Sequence, residues 1–300
     1  MILQEIKRCW KAKINIAVVI LMIVPIVAVV MEDWQHRNHI NQVVEWTIAH
    51  GDPDGELCFF LFELEGRNGL FFFERLFSAH MGTIFFSFVI FVIGVGINVS
   101  GNLLSALKTG YGINIVTRVS YKSYLNKTVI SQFLYITTFL SSIFLAIFIV
   151  LLILGGGSLQ TPGMTTFSFQ GVMATPIYLL TLFMIVLYAV ICKVLLLLIA
   201  TLSFVFLKNK YLIQFSPVAI FVGVYILAFI FGNMNNTLAI ITTSLIFEQA
   251  HFAFVNLFSW QMESRTIDVF YATFYPLLLL GIFFILYVLN VKKYGRDYLP

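Results

Sequence analysis

The sequence predicts an all-α polytopic membrane protein with six transmembrane helices and both termini in the cytoplasm. Of its 300 residues, 60% are hydrophobic and only 11% are charged, whereas soluble domains carry about 25% charged residues. Its apolar stretches run unbroken for about 20 residues, the length of a helix that crosses the hydrocarbon core of a bilayer. They do not alternate between apolar and polar positions, as the strands of a membrane β-barrel would.

Six uncharged apolar windows are long enough to span a membrane as helices, which satisfy every backbone polar group internally. The fourth window is too short to cross twice and too long for one upright crossing, so a single tilted or overhanging span is expected there. The six windows are 14–31, 80–99, 132–154, 177–207, 211–232 and 272–291.

The distribution of charge gives the direction of these crossings. Six crossings place 13 of the 18 Lys and Arg residues on one side and 4 on the other, while Lys193 lies within a span. Twelve of the 14 acidic residues fall on the side that is poor in Lys and Arg. Because positive charge concentrates in cytoplasmic connections, both termini are predicted to be cytoplasmic.

The connections leave no soluble domain of core-forming size. The outer loops are 32–79 and 233–271, and the inner loop is 100–131. Each outer loop contains a short apolar run, 57–62 and 237–247, that lacks the length to span, so interfacial or re-entrant helices are expected there.

Residues 1–13 precede the first span and lack a persuasive cleavage site, so we expect them in the mature chain. Leu3, Ile6 and Trp10 fall near one face of a possible helix, with basic residues largely on the other. Such a segment suits the inner membrane interface, with its basic face toward anionic headgroups. The alternative is a charged flank that only fixes topology.

The inner loop contains four basic residues and no acidic one. Its glycines end one helix, and Ser120 is placed to begin another, with Tyr121, Tyr124 and Leu125 on a common face. A short helix with outward-facing aromatic side chains would fit a groove on a partner. On composition alone, a solvated basic loop is the competing interpretation.

The stretch Thr117-Arg118-Val119-Ser120, followed by Tyr121, Tyr124 and Lys127 and then by a span, resembles the first inner loop of bacterial, Firmicute-like ABC-type exporter permeases of the type 2 class. That family also has six spans, cytoplasmic ends, an interfacial amino-terminal helix and re-entrant elements before the last span. One departure is the absence of the acidic residue that many members place before the glycine, where this chain has Lys108 and Thr109.

The resemblance implies a coupling helix that binds a separate cytoplasmic ATP-binding cassette subunit. The partner-binding residues would be Arg118, Ser120, Tyr121, Tyr124 and Lys127. ATP and Mg²⁺ would bind to the partner subunit and no cofactor to this chain, whose sequence has no Gly-x-x-x-x-Gly-Lys-Ser/Thr loop. The resemblance also implies a second copy of the permease or a homologous permease. No catalytic residue is assigned, and the chain is expected not to be an enzyme.

Lys193 is the only formally charged residue deep within a span. A Lys at the helix centre costs roughly 3 kcal/mol on insertion, and the surrounding apolar residues outweigh that cost. One interpretation places Lys193 on the cargo path, against a polar or anionic part of the cargo. The other has it hydrogen-bonded to Ser or Thr side chains or snorkelling to the interface.

Other binding classes receive little support. The basic residues are too scattered for a nucleic-acid site. His36 and His39 with Glu32 have the spacing of a metal site on one helical face, but such groups are common in amphipathic segments, so no metal site is predicted. The stripe Ile40, Val44 and Ile48 favours a helix lying on the outer membrane surface.

The expected function is that of a permease subunit in an ATP-driven exporter of the bacterial cytoplasmic membrane. By alternating access it would move a hydrophobic or amphipathic cargo, whether peptide, lipid or drug, out of the cell. A non-transporting immunity or scaffold protein is the alternative. A secondary transporter or an intramembrane enzyme is less favoured, because the spans contain neither carboxylates nor paired catalytic groups.

Overall fold

The described part of the chain is entirely helical apart from short turns, so the all-α prediction is confirmed at that level. The helices are α1 (Ile2–Trp10), α2 (Ile14–Leu21), α3 (Ile23–His50), α4 (Tyr121–Leu154), α5 (Thr175–Leu202), α6 (Lys210–Gly232) and α7 (Arg265–Asp297), and a 3₁₀ turn, Ser203–Val205, follows α5. A computed structural model describes residues 2–51, 57, 58, 60, 61, 73, 94–99, 103, 119–154, 175–232, 250, 253, 254, 257 and 265–297.

Four stretches of the described chain are long and apolar enough to cross a membrane. They are Ile14–His50, Tyr121–Leu154, Ile177–Val205 and Ile267–Tyr294, and they coincide with the first, third, fourth and sixth predicted spans. Helices of this length and hydropathy are consistent with a membrane protein. Six crossings and two cytoplasmic termini remain predictions.

The other two predicted spans are covered less completely. The fifth window coincides with α6, a helix of 23 residues. Of the second window, only residues 94–99 are described, and they are helical. Of the predicted re-entrant run 57–62, residues 57, 58, 60 and 61 are described and are helical, whereas the run 237–247 lies outside the described residues.

The first span continues well beyond the membrane thickness. Only Met22 separates α2 from α3, and 37 residues at 1.5 Å per residue extend about 55 Å, against a hydrocarbon core of about 30 Å. The predicted separate surface helix is therefore wrong, because the helix does not break between the span and its polar extension. Ile40 and Val44 are buried as part of a stripe that continues through Thr47, whereas Ile48 is 66% exposed.

Helix α5 is the centre of the described structure. It packs against α4, α6 and α7, and 72% of its most apolar window is buried. Hydrogen bonds reinforce its packing on α7: the Tyr188 hydroxyl donates to the Ala272 carbonyl at 2.9 Å, and Asn290 Nδ2 donates to the Leu202 carbonyl at 2.9 Å. The position of α5 thus depends on contacts along its whole length.

Helix α4 is a single helix of 34 residues rather than a short helix followed by a span. The predicted separate short helix is wrong in this respect. Residues 121–131 contain no helix breaker, and their buried positions, including Tyr121, Tyr124 and Thr128, continue at helical spacing into Tyr135. One apolar stripe therefore runs from the first turn into the span and favours an unbroken helix.

Candidate functional site

The residues singled out in the inner loop lie at the first turns of α4. Ser120 directly precedes the helix and caps it, since the Ser123 backbone N–H donates to Ser120 Oγ at 3.4 Å. Ser120 and Lys127 are exposed. Tyr121 and Tyr124 are 3% and 4% exposed. Arg118 lies outside the described residues.

An aromatic cluster joins three helices at this end. The Tyr121 and Tyr294 ring centroids are 5.8 Å apart, and those of Phe204 and Tyr294 are 5.3 Å apart. We call these three residues the inner-end cluster, after the side of the membrane on which the sequence predicts them. It connects the start of α4, the turn after α5 and the end of α7.

Polar contacts surround the inner-end cluster and fix the same three elements. The Tyr287 hydroxyl of α7 donates to Asn126 Oδ1 of α4 at 2.5 Å. Lys293 Nζ donates to the Val205 carbonyl at 2.8 Å, where the turn after α5 leaves backbone acceptors unpaired by the helix. A displacement of the first turn of α4 would therefore displace α5 and α7 as well.

The two tyrosines do not project outward as the sequence suggested. They pack against α5 and α7 within this chain, because the apolar stripe of α4 is continuous through them. Six exposed lysines lie at this end among the described side chains, and we call them the lysine rim: Lys122, Lys127, Lys208, Lys210, Lys292 and Lys293.

A buried network of hydrogen bonds holds the amino-terminal helix α1 in place. Asn15 Nδ2 donates to the Cys9 carbonyl at 2.8 Å and to the Trp10 carbonyl at 3.1 Å. Asn98 Nδ2 donates to the Cys9 carbonyl at 3.0 Å and to the Tyr135 hydroxyl at 2.8 Å. The Tyr135 hydroxyl in turn donates to Asn15 Oδ1 at 2.8 Å. We call Asn15, Asn98 and Tyr135 the Asn–Tyr network.

The network satisfies the last carbonyls of α1, which have no partner within the helix. It also joins α1 to α2, α4 and the helical segment 94–99. Trp10 adds edge contacts at 6.1 Å to Tyr135 and 5.5 Å to Phe139, measured between ring centroids. The short helix is therefore docked on α4 at a defined position.

The faces of α1 differ from the sequence prediction. Ile6 packs toward the core and Cys9 is buried, whereas Leu3 is 73% exposed and Trp10 is 41% exposed. Burial raises the pKa of the Cys9 thiol to about 11, and the nearby Arg8 guanidinium opposes the shift. The predicted apolar face is thus divided between the protein interior and the surroundings.

Lys193 is almost completely enclosed, with 2% exposure. Its Nζ lies 5.3 Å from the centroid of the Phe144 ring on α4, a cation–π distance. A cavity of about 420 Å³ between α4 and α5 has Phe144 in its wall, but Lys193 is not among its lining residues. The phenyl ring therefore separates the ammonium group from this cavity.

The spacing of Glu32, His36 and His39 does not form a metal site in the described structure. Within the described ranges, no group of three or more His, Cys, Asp or Glu residues is arranged to hold a metal ion. His36 is half-buried and His39 is exposed on α3.

Sequence reasoning missed several residues that organise these sites. Phe204, Tyr294 and Asn98 acquire their roles only when distant segments meet. A weak signal was present for Asn98, because an amide near the end of an apolar stretch needs a hydrogen-bond partner inside the protein. The comparisons with known proteins add no assignment, since the chain matches no family model, no curated protein and no solved structure.

Proposed function

We propose that the chain is the membrane-spanning permease subunit of an ATP-driven ABC exporter. It moves a hydrophobic or amphipathic cargo out of the cell by alternating access. A separate cytoplasmic ATP-binding cassette subunit binds ATP and Mg²⁺ and hydrolyses the nucleotide. A second copy of this chain, or a homologous permease, completes the assembly in the bacterial cytoplasmic membrane.

The observation that supports this proposal is the arrangement of exposed and packed side chains at the first turns of α4. Ser120, Lys122 and Lys127 are exposed there, and Tyr121 packs on Tyr294, which in turn packs on Phe204. An exposed, cationic surface is thus rigidly connected to three long apolar helices. This is the arrangement that a transmembrane subunit needs in order to receive a push from a soluble partner.

The distribution of charge also favours the surface at the start of α4 as a protein-binding site. The helices α4, α5 and α6 carry no Asp or Glu, and on α7 only Asp297 lies near Lys292 and Lys293. The lysine rim therefore keeps an excess of positive charge that favours an acidic partner surface. The exposed members of the predicted set, together with Arg118, make the contacts. Tyr121 and Tyr124 act inside the chain, where they transmit the movement.

The mechanism follows from the packing of these helices. Closure of two ATPase subunits would press on the start of α4, and the inner-end cluster would carry that displacement to α5 and α7. Packed helices change between discrete arrangements rather than deforming continuously, so a small push can switch the helices between inward-open and outward-open states. ATP supplies the difference in free energy between these states.

Copurification tests this function. The full chain carrying a tag is purified from its own cells in a mild detergent, and the bound proteins are quantified by mass spectrometry. The double variant Lys122→Glu/Lys127→Glu reverses two charges of the lysine rim. We expect an ATP-binding cassette subunit with the wild type and at least about a tenfold loss with the variant, as for close charge pairs at an interface.

The matched control is Lys7→Glu/Lys11→Glu, which makes the same change of charge on exposed positions at α1 and near its end. It should retain the ATPase. Equal loss in both variants would assign the effect to total charge rather than to this surface. If the wild type brings down no ATPase at all, the export proposal fails and a scaffold or immunity role takes its place.

A further inference from the structure

The cavity between α4 and α5 is an elongated apolar groove. Its volume is about 420 Å³, and it is bounded on α4 from Thr137 to Phe148 and on α5 from Leu179 to Val190. Phe73 closes the end near Phe148, with the two ring centroids 5.1 Å apart. Ten of its twelve lining residues are apolar, and the other two are Thr137 and Ser141.

The dimensions of the groove restrict what can occupy it. Each wall covers 11 residue steps, which at 1.5 Å per residue is about 16 Å, close to the hydrocarbon thickness of one leaflet. The volume open to the centres of water-sized spheres, divided by this length, gives a cross-section of about 26 Å², and one water radius on each side makes the groove about 9 Å across. A helix from a second copy is about 10–12 Å wide with its side chains, so it is too thick to enter.

The surroundings of the groove identify the medium that fills it. Leu145 and Phe183 line it and are 59% and 62% exposed, so the groove opens onto an apolar face at membrane depth. An empty apolar void would lose the packing contacts of its walls. An extended hydrocarbon chain restores those contacts.

The polar groups lie at one end of the groove, the end toward the start of α4. The Thr137 hydroxyl is buried without a hydrogen-bond partner among the described residues, and Ser141 lies one turn further along α4. Lys193 lies one turn beyond Val190 on α5, with its Nζ 5.3 Å from the centroid of the Phe144 ring. The two hydroxyl groups favour a hydrogen-bonding head at that end, and the positive charge of Lys193 behind Phe144 favours an anionic one.

We propose that this groove binds an amphiphile with one hydrocarbon chain and an anionic head. The chain lies between α4 and α5 and extends toward Phe73, and the head lies near Thr137 and Ser141. Lys193 supplies positive potential from behind Phe144. This assignment deepens the proposed export function by naming the class of cargo, but the binding itself needs no ATP.

Photolabelling tests this binding site. The full chain in lipid nanodiscs is exposed to palmitic acid that bears a diazirine on its chain, and the labelled peptides are mapped by mass spectrometry. Label is expected on residues 137–148 and 179–190 and should be displaced by excess palmitate. Ser141→Trp places an indole in the groove and should reduce labelling at least about tenfold, whereas Ser142→Trp, exposed at the same depth but outside the lining set, should not.

Two further variants keep the result interpretable. Leu145→Trp also fills the groove from an exposed position and replaces Ser141→Trp if that variant fails to fold. Lys193→Met should reduce the preference for the diazirine acid over the matching uncharged alcohol at least about threefold, while the alcohol still labels the groove.

Several results would overturn the proposal. These are undiminished labelling in both groove-filling variants, labelling that excess palmitate does not displace, and labelling spread equally over exposed positions outside the groove such as Leu277. If groove filling instead dissociates an oligomer, a second copy occupies the surface. Specific labelling without an ATPase partner would preserve the binding site and refute the export function.

Discussion

At the residue scale, the buried thiol of Cys9 reports on the docking of α1. Its side chain is 4% exposed, and burial raises its pKa to about 11 from an ordinary 9.0. Only the thiolate reacts rapidly with maleimides. The reactivity of Cys9 therefore measures whether the helix stays packed.

We expect Cys9 to react with N-ethylmaleimide at pH 8 about 100-fold more slowly than an exposed thiol, because a pKa two units higher leaves about 100-fold less thiolate. The measurement uses a variant in which Cys58 and Cys192 are replaced by Ser. The comparison is Leu3→Cys without the natural cysteines, since Leu3 lies on the same helix and is 73% exposed. Equal rates would mean that α1 is not docked.

The same shift sets the direction of a pH effect on stability. The folded state favours the neutral thiol, so the unfolded state loses its proton first as the pH rises. The stability that the neutral Cys9 thiol contributes is fully present below about pH 9 and is lost as the pH approaches about 11. Thermal unfolding of the wild type and of Cys9→Ala between pH 8 and 11 should therefore show a steeper decline for the wild type.

At the element scale, two features position the first helices. The Asn–Tyr network satisfies the end of α1, and close contact joins α2 to the segment 94–99. A Cβ at Gly94 would overlap Cγ2 of Val18, a β-branched side chain with little rotamer freedom. Each feature makes a separate prediction.

Asn98→Leu should destabilise the protein by about 1–3 kcal/mol, because it leaves the Tyr135 hydroxyl and the Cys9 carbonyl with one donor fewer in a buried place. Thermal unfolding measures this loss, and faster labelling of Cys9 shows that α1 has undocked. Asn41→Leu is the control, since Asn41 is exposed on α3. Unchanged Cys9 labelling in Asn98→Leu would refute the role given to the network.

Gly94→Ala should cost about 1–3 kcal/mol, since the added methyl group forces α2 and the segment 94–99 apart. Gly223→Ala is the matched control in another apolar helix, where a Cβ would meet nothing within 4 Å. That change should be neutral or stabilise the protein by up to about 1 kcal/mol, because Ala is the better helix former. Thermal unfolding measures both effects. An equal fall in the midpoints of the two variants would contradict the close packing of Gly94 against Val18.

At the scale of the whole molecule, the direction of the helices decides where the lysine rim lies. Charge in the sequence predicts that the start of α4 lies in the cytoplasm, and the antiparallel course of α4 and α5 places the turn after α5 on the same side as the start of α4. The amino-terminal helix packs on α4. A test of orientation should therefore find α1, the start of α4 and the turn after α5 on the same side of the membrane.

An impermeant maleimide should label Asn41→Cys in intact cells but Ser120→Cys and Lys292→Cys only after permeabilisation. All three are built without the natural cysteines, and all three positions are exposed. The reason is that six crossings put residue 41 outside and the other two inside. Labelling of Ser120→Cys in intact cells would reverse the topology and remove the lysine rim from any cytoplasmic partner.

The sequence by itself determined the class of this protein and its long helices. Uninterrupted apolar windows select helices because a lipid environment provides no partner for backbone groups, and this rule is local. It located the apolar parts of Ile14–His50, Tyr121–Leu154, Ile177–Val205 and Ile267–Tyr294 without knowledge of any neighbour.

Only the tertiary structure decided which faces of those helices are covered. Tyr121 and Tyr124 have the pattern of an exposed aromatic face, yet α5 and α7 bury them. The sequence allowed Lys193 to lie on a cargo path, to bond Ser or Thr side chains or to snorkel, and in the structure the Phe144 ring separates it from the groove. In an apolar helix all faces are similar in sequence, so burial depends on contacts between residues far apart in the chain, which no local pattern encodes.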